Sequence, residues 1–226
     1  MQTPVRKISP SLMCADLLNL KKDLDLFIDN DIEYFHIDIM DGHYVHNFSL
    51  GFAFCQAISS YTETPQDIHL MIDNPEDFVP LFAQIKSSII TFHPEVVYHP
   101  LRTIALIKRH GARAGIALTP AQTIESLRPL LPHVDLLCVM TVVPGFVSQS
   151  IIPGGIEKLR ETVDYIRSNS YELEIEVDGN VSWENLPKMR DAGAQVFVAG
   201  TSSIFESGGD VQSNIRRFRS ILEGGE

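Results

Sequence analysis

The chain has 226 residues, 44% of them hydrophobic, and a formal net charge of −11 at pH 7. That length and apolar share suit one sizeable soluble domain with its own core. The negative charge disfavours nucleic acid and anionic membrane as main partners, while an anionic small substrate stays open if local amides and a cation set the field at its site.

Short apolar runs alternate with amphipathic segments throughout, and no linker, clear repeat or low-complexity tract marks a boundary. Lys7 to Met13 reads as a first strand. Asp16 is placed to cap the helix that follows, where Leu17, Leu20, Leu24, Phe27 and Ile28 recur at helical spacing. Tyr34 to Ile39 is a second strand, with a short helix through Phe54 and Ile58 behind it. Asp67 to Met71 is a third. Asn74-Pro75-Glu76-Asp77 then opens a helix with a cap residue, proline at the first position and acids in the first turn. Ile89 to Phe92 makes strand four, followed by His93-Pro94-Glu95 and a helix over Leu101 to His110. Strand five runs from Arg113 to Leu118, a helix from Thr123 to Leu131, and strand six from Val134 to Met140. A long loop through Val143-Pro144-Gly145-Phe146 leads to a helix over Ile156 to Arg167. Leu173 to Val177 is strand seven, with a helix through Trp183 and Met189 after it. Val196 to Ala199 is strand eight, and Asp210 to Leu222 is a closing helix.

Eight strands alternating with helices predict an α/β fold, a (β/α)8 TIM barrel forming a single domain over 1–226. An open doubly wound sheet is the alternative, but its Gly-x-Gly-x-x-Gly fingerprint after the first strand is absent. In such barrels, polar residues at the C-terminal ends of distant strands converge on one rim.

That rule gives weight to the stretch Phe35-His36-Ile37-Asp38-Ile39-Met40-Asp41-Gly42-His43. In a strand, His36 and Asp38 point to the same face, so an imidazole and a carboxylate stand side by side. One such pair, taken alone, reads first as a satisfied core histidine. His69 at strand three and Asp178 at the end of strand seven complete a set of two imidazoles and two carboxylates. The set suits one divalent metal ion, whether zinc, manganese, iron or cobalt. Two carboxylates beside a Lewis acid also suggest proton transfer next to a ketone. One acid removes the proton on one face, the other returns it on the opposite face, and the cation steadies the enediolate charge. Met40, Met71 and Met140 lie at or near strand ends and read as core filling or as a soft apolar cover that keeps water from the enediolate.

Gly145, Gly179 and Gly200 follow strands six, seven and eight, and Gly200-Thr201-Ser202 precedes what reads as a short helical segment. Small residues there let backbone N–H groups approach a phosphate, and the last loops of such barrels are its usual site. The scattered cysteines Cys14, Cys55 and Cys138 read as reduced core thiols. There is neither a signal-peptide pattern nor an apolar run long enough to span a bilayer, so a cytoplasmic location is expected.

From Ile8 to about Phe205 the chain resembles the ribulose-phosphate 3-epimerase family. The resemblance rests on Ser9-Pro10-Ser11-Leu12, His36-Ile37-Asp38-Ile39-Met40-Asp41-Gly42-His43, His69-Leu70-Met71, Val139-Met140-Thr141-Val142, Pro144-Gly145-Phe146, Glu176-Val177-Asp178-Gly179 and Ala199-Gly200-Thr201. It implies that His36, Asp38, His69 and Asp178 are metal ligands and that Asp38 and Asp178 are the acid–base pair. It further implies that Ser11 contacts substrate and that the loops with Gly145, Gly179, Asn180, Gly200, Thr201 and Ser202 cradle phosphate. Ser9-Pro10-Ser11-Leu12-Met13-Cys14, Tyr34-Phe35-His36-Ile37-Asp38, His93-Pro94-Glu95 and Met140-Thr141-Val142 look most similar to the branch that joins D-allulose 6-phosphate and D-fructose 6-phosphate. D-ribulose 5-phosphate to D-xylulose 5-phosphate is the alternative, and a homo-oligomer is expected. Three positions depart from the pattern: Val147-Ser148-Gln149 replaces a run of small residues and Gln, Asn180 stands at a common glycine position and His46 at a common proline one. A metal-dependent aldolase and a non-catalytic sugar-phosphate binder are the competing readings. The Asp-x-Lys-x-x-Asp strand of the related decarboxylases and synthases is missing, because Asp38-Ile39-Met40-Asp41 has no lysine.

Overall fold

The computed structural model describes residues 5–225. Eight strands, β1 (Lys7–Pro10), β2 (Phe35–Met40), β3 (Gln66–Met71), β4 (Ile89–Phe92), β5 (Arg113–Leu118), β6 (Leu136–Met140), β7 (Glu174–Asp178) and β8 (Val196–Ala199), pair in parallel in the order β1-β8-β7-β6-β5-β4-β3-β2. Just beyond β1, Ser11 bridges in parallel to His36 of β2 and brings the two ends of the sheet together. The fold is a (β/α)8 TIM barrel, as the alternation predicts.

Helices α1 (Leu20–Asp29), α2 (Phe52–Tyr61), α3 (Pro75–Phe82), α4 (Pro100–Arg109), α5 (Ile124–Leu127), α6 (Gly155–Ser168), α7 (Asn185–Ala192) and α8 (Val211–Leu222) form the outer layer. The strands' outward rows, with Ile37, Leu70, Ile90, Ile116, Leu137, Val177 and Phe197, join one core with Phe27, Ile58, Phe82, Ile107, Leu159 and Phe218 from the helices. Period-2 and period-3.6 patterning meet there, which is why the alternation could be read. Among the described residues no helix is long and apolar enough to cross a membrane.

The inner rows differ. A small apolar cluster of Tyr34, Ile89, Ala117, Leu136, Cys138, Met140 and Val196 shares the barrel with polar residues. Ser9, His36, Asp67, His69, Thr91, His93 and Glu176 are each no more than 1% exposed. At the N-terminal end Arg113 Nη2 pairs with Glu174 Oε2 at 2.7 Å, and Lys7 also bonds Glu174. Tyr34 OH donates to the same carboxylate at 2.9 Å, so this end is a closed polar plug.

Four local expectations are corrected. β1 ends at Pro10, and Leu12–Cys14 forms a 3-10 turn in place of the strand's last residues. Asp16 caps no helix. Its carboxylate accepts from Leu18 N and Asn19 Nδ2 in a preceding turn, so α1 starts later, at Leu20, and Leu17 is exposed. The helix expected to Leu131 stops at Leu127, because Pro129 has no N–H to donate back to Glu125 O and carry the ladder on. After β8, Gly200 O accepts from Ser203 N and Phe205 N, and the chain folds into consecutive turns in place of a short helix.

Gly115 on β5 is register partner to Thr91 on β4, and a Cβ at 115 would lie 2.2 Å from Thr91 Oγ1 and 3.2 Å from Thr91 Cα. Gly115→Ala is therefore expected to cost about 1–3 kcal/mol by overpacking. Thermal unfolding checks this, and an unchanged midpoint would show that the barrel gives way easily here.

Candidate metal centre and active site

The rim where β2, β3 and β7 end holds the four residues singled out from the sequence. His36 and Asp38 come from the inner row of β2, His69 from β3 and Asp178 from the last position of β7. One ligand atom from each lies within 4.8 Å of all the others. His69 Nδ1 is 3.8 Å from Asp38 Oδ1 and 3.7 Å from Asp178 Oδ2, and His36 Nε2 is 3.3 Å from Asp38 Oδ1.

The donor set fits a divalent cation on an independent observation. His36 Nε2 and His69 Nδ1 are buried and lack a hydrogen-bond partner. The other nitrogen of each ring is engaged: His36 Nδ1 with Asp67 Oδ2 at 2.6 Å, and His69 Nε2 with His93 Nε2 at 2.9 Å. Ring nitrogens left bare between two carboxylates, with their opposite nitrogens held from behind, are arranged as metal ligands are. Buried polar atoms without a partner are otherwise costly.

The electrostatics agree. Burial disfavours a charged imidazole at both sites. At His36 the nearby Asp38 and Asp67 override it and hold the ring's pKa well above the usual histidine value, so the site attracts positive charge. At His69 burial, reinforced by His93 and His36, lowers the pKa to about 3 and keeps the ring neutral. The two acids diverge. Burial pushes Asp38 up, but the charge of the neighbouring His36 and the hydrogen bond from the Ser11 hydroxyl bring it down to about 2. Burial and the Asp38 and Asp67 charges, opposed by His36, push Asp178 up to about 7. Paired carboxylates driven apart in this way are poised for opposite acid–base roles. Ser11 Oγ donates to Asp38 Oδ2 at 2.8 Å and fixes its orientation.

A cleft of about 590 Å³, open mouth included, rises above the acids. Ser11, Met40, Met71, Met140, Gly145, Gly179, Asn180, Gly200, Thr201 and Ser202 all line it, so every residue expected to touch substrate is brought together with the acids or, for His69, with the ligand set. Met40 and Met71 pack with Val45 as one apolar group. No Lys or Arg is among the described residues lining the cleft.

The departures from the family pattern acquire a structural meaning. Asn180 adopts φ 47°, a left-handed conformation that asparagine tolerates better than most residues and that explains glycine as its usual occupant. Its Nδ2 donates to Gln149 O at 2.6 Å, tying the loop after β7 to the loop after β6. Ser148 also takes positive φ, and its Oγ lies 3.1 Å from Thr201 Oγ1. Val147 is exposed at the mouth.

Sequence reasoning missed Asp67, Glu176, His93, Tyr44 and Glu95. Glu176 is fully buried, neither carboxylate oxygen has a hydrogen-bond partner, and burial with the neighbouring Asp67 charge raises its pKa well above the usual range. A signal was present: Asp67-x-His69 and Glu176-x-Asp178 repeat the i, i+2 spacing of His36-x-Asp38 on other inner rows.

Comparison with known proteins adds to this geometry. Among solved structures, a mutant tryptophan synthase α-subunit from Pyrococcus furiosus superposes with a TM-score of 0.69, covering 99% of this chain and 100% of that one. At 14% identity it speaks to the barrel alone. The ribulose-phosphate 3-epimerase of Buchnera aphidicola subsp. Acyrthosiphon pisum is 40% identical over 195 residues, 86% of each chain. The ribulose-phosphate 3-epimerase of Escherichia coli K12 is 38% identical over 216 residues, 95% of each. The sequence profile of the ribulose-phosphate 3 epimerase family matches residues 7–205, from the first strand to the turns after β8. With the rim of two histidines and two aspartates standing inside that match, the chain belongs to the ribulose-phosphate 3-epimerase family.

Proposed function

We propose that the protein is a metal-dependent ketose-phosphate 3-epimerase that interconverts D-ribulose 5-phosphate and D-xylulose 5-phosphate. The observation that carries the reading is the convergence of Asp38 and Asp178 on one rim around two bare imidazole nitrogens. The preference for D-allulose 6-phosphate drawn from short motifs yields to the pentulose phosphate. Relatives that match this chain over most of its length at 38–40% identity carry the pentulose-phosphate name.

His36, Asp38, His69 and Asp178 would hold the divalent cation. When bound, it supplies Lewis-acid stabilisation of negative charge on the substrate's oxygens. Asp38 Oδ1 or Oδ2 takes the C3 proton from one face. Asp178 delivers a proton to the other face, and in the reverse direction the two exchange roles. Ser11 keeps Asp38 aimed, and Met40, Met71 and Met140 exclude water that would otherwise protonate C3 without facial control. Backbone amides around Gly145, Gly179–Asn180 and Gly200–Ser202 receive the phosphate, which suits a cleft without lysine or arginine.

A reducing, cytoplasmic setting is part of the reading, supported by three free cysteines. So is a homo-oligomer, supported by exposed apolar residues such as Leu18, Phe78 and Tyr98. Incubation of each ketose phosphate in heavy water with metal present tests the function. Deuterium at C3 with inversion is expected, with kcat/KM for D-ribulose 5-phosphate at least about tenfold above that for D-allulose 6-phosphate, the scale set by a small difference in pocket fit. Faster turnover of the hexulose phosphate restores the other substrate. Carbon–carbon cleavage makes the protein an aldolase, and no turnover makes it a binder.

A further inference from the structure

Behind His69 a single file of hydrogen bonds runs to the protein surface. His69 Nε2 meets His93 Nε2 at 2.9 Å, and His93 Nδ1 lies 2.8 Å from Tyr44 OH. Tyr44 OH in turn donates to Glu95 Oε1 at 2.8 Å. Glu95 Oε2 accepts from Gln122 Nε2 at 3.1 Å, and the Glu95 side chain is 32% exposed. His69 and His93 are fully buried, and their rings lie within 17° of coplanar with centroids 5.0 Å apart, so the two Nε2 atoms meet edge to edge. The file gives each group one proton to pass or one to receive.

Its direction follows from its outer end. An ionised carboxylate only accepts, so Tyr44 spends its one proton on Glu95 and its oxygen is left to accept from His93 Nδ1–H. A neutral His93 protonated at Nδ1 has a bare Nε2, which accepts from His69 Nε2–H. His69 then presents a bare Nδ1 to the rim, where Asp38 and Asp178 lie 3.8 and 3.7 Å away. The opposite tautomer would put a proton on Nδ1 and block coordination. Tautomer choice of this kind is made by whatever the other ring nitrogen binds.

We infer that Glu95 is a positioning residue for the metal centre: through Tyr44 and His93 it sets the His69 tautomer that leaves Nδ1 free to bind the ion. The inference rests on the metal-dependent reading above and names a residue that touches neither ion nor substrate. Glu95→Gln is its main test. An amide can donate as well as accept, so Tyr44 can turn its proton toward His93 and the whole file can reverse. Tyr44→Phe is the control for order of effect, since His93 Nδ1 already lies 3.3 Å from Glu95 Oε1 and can donate to it directly.

Two measurements are made on the full chain. Long-range proton–nitrogen spectra of 15N-histidine-labelled, metal-free protein report the His69 tautomer, and titration with zinc alone reports affinity. Wild type is expected to show only the Nε2–H form. Glu95→Gln is expected to show a mixture and to bind zinc about 10–100-fold more weakly, the usual cost of losing an outer partner of a ligand. Tyr44→Phe is expected to lose less. An unchanged tautomer in Glu95→Gln overturns the inference, as does an affinity loss that tracks only a general fall in thermal midpoint, or a larger loss in Tyr44→Phe. If wild type binds no zinc while the tautomer shift is still seen, the relay stands and the metal-dependent reading fails.

Discussion

Asp178→Asn is expected to lower epimerisation by about 10²–10⁴-fold, the usual contribution of a positioned acid or base, while raising the thermal midpoint of the metal-free protein at pH 7. The two effects share one cause. In the fold Asp178 holds its proton to about 7, whereas an unfolded aspartate releases it near 3.8. Between those values the unfolded chain is the better ionised form, so the residue's penalty on folding grows as pH rises from about 4 to 7 and then stays constant. An amide removes the penalty. Asp38 behaves in the opposite sense: its folded value of about 2 lies below 3.8, so its stabilising contribution is complete above about pH 4 and is lost as pH falls through 2. Asp38→Asn is accordingly expected to lose activity to a similar extent and to lower the midpoint at pH 7. Turnover of both ketose epimers and calorimetric melting of both variants provide the check. Near-normal turnover in either removes that residue from the reaction. A lowered midpoint for Asp178→Asn removes the electrostatic account of its burial.

Stripping divalent ions is expected to abolish turnover, and one equivalent of zinc, manganese, iron or cobalt is expected to restore it. A cation that binds the folded chain alone stabilises it by about 4 kcal/mol at a thousandfold excess over its dissociation constant. For a chain of this size that corresponds to a rise in thermal midpoint of roughly 8–16 °C. His36→Ala and His69→Ala each delete a proposed direct ligand and are expected to reduce both the rise and the affinity by more than the 10–100-fold that an outer partner costs. Full turnover after exhaustive chelation, with metal analysis confirming its absence, would count decisively against the cation's role. Melting curves that ignore added metal would show that the bare nitrogens of His36 and His69 serve some other purpose.

The barrel was legible because its signals are local. Ile37, Ile39, Leu70 and Val177 alternate along strands, while Leu24, Phe27, Ile104 and Ile107 recur at helical spacing, and all are buried between sheet and helices. The convergence of the candidate ligands was legible for the same reason, since an i, i+2 pair on an inner row needs only strand periodicity. What escaped lies where several weak local preferences compete. Asp16 can serve a turn or a helix, and the Asn19 amide decided for the turn. Pro129 ended α5 early although apolar spacing continued to Leu131. Asp67, His93 and Glu176 escaped for a deeper reason. Their roles exist only once the inner rows of β2, β3, β4 and β7 face one another inside the closed barrel, and no single stretch displays that convergence. The substrate escaped because one carbon of ketose length is a property of the cleft's far end, not of any motif.

The four proposed ligands are spread from His36 to Asp178, on strands either side of the seam where Ser11 meets His36. During synthesis on the ribosome, a nascent chain that has emerged only as far as α6 can offer three of them and lacks the fourth. High-affinity loading of the proposed cation would therefore wait for β7 to take its place, and a chain truncated before that strand forfeits the full complement. The proposed cation would in effect inspect the finished ring, committing only to copies in which both halves of the polypeptide have already come together.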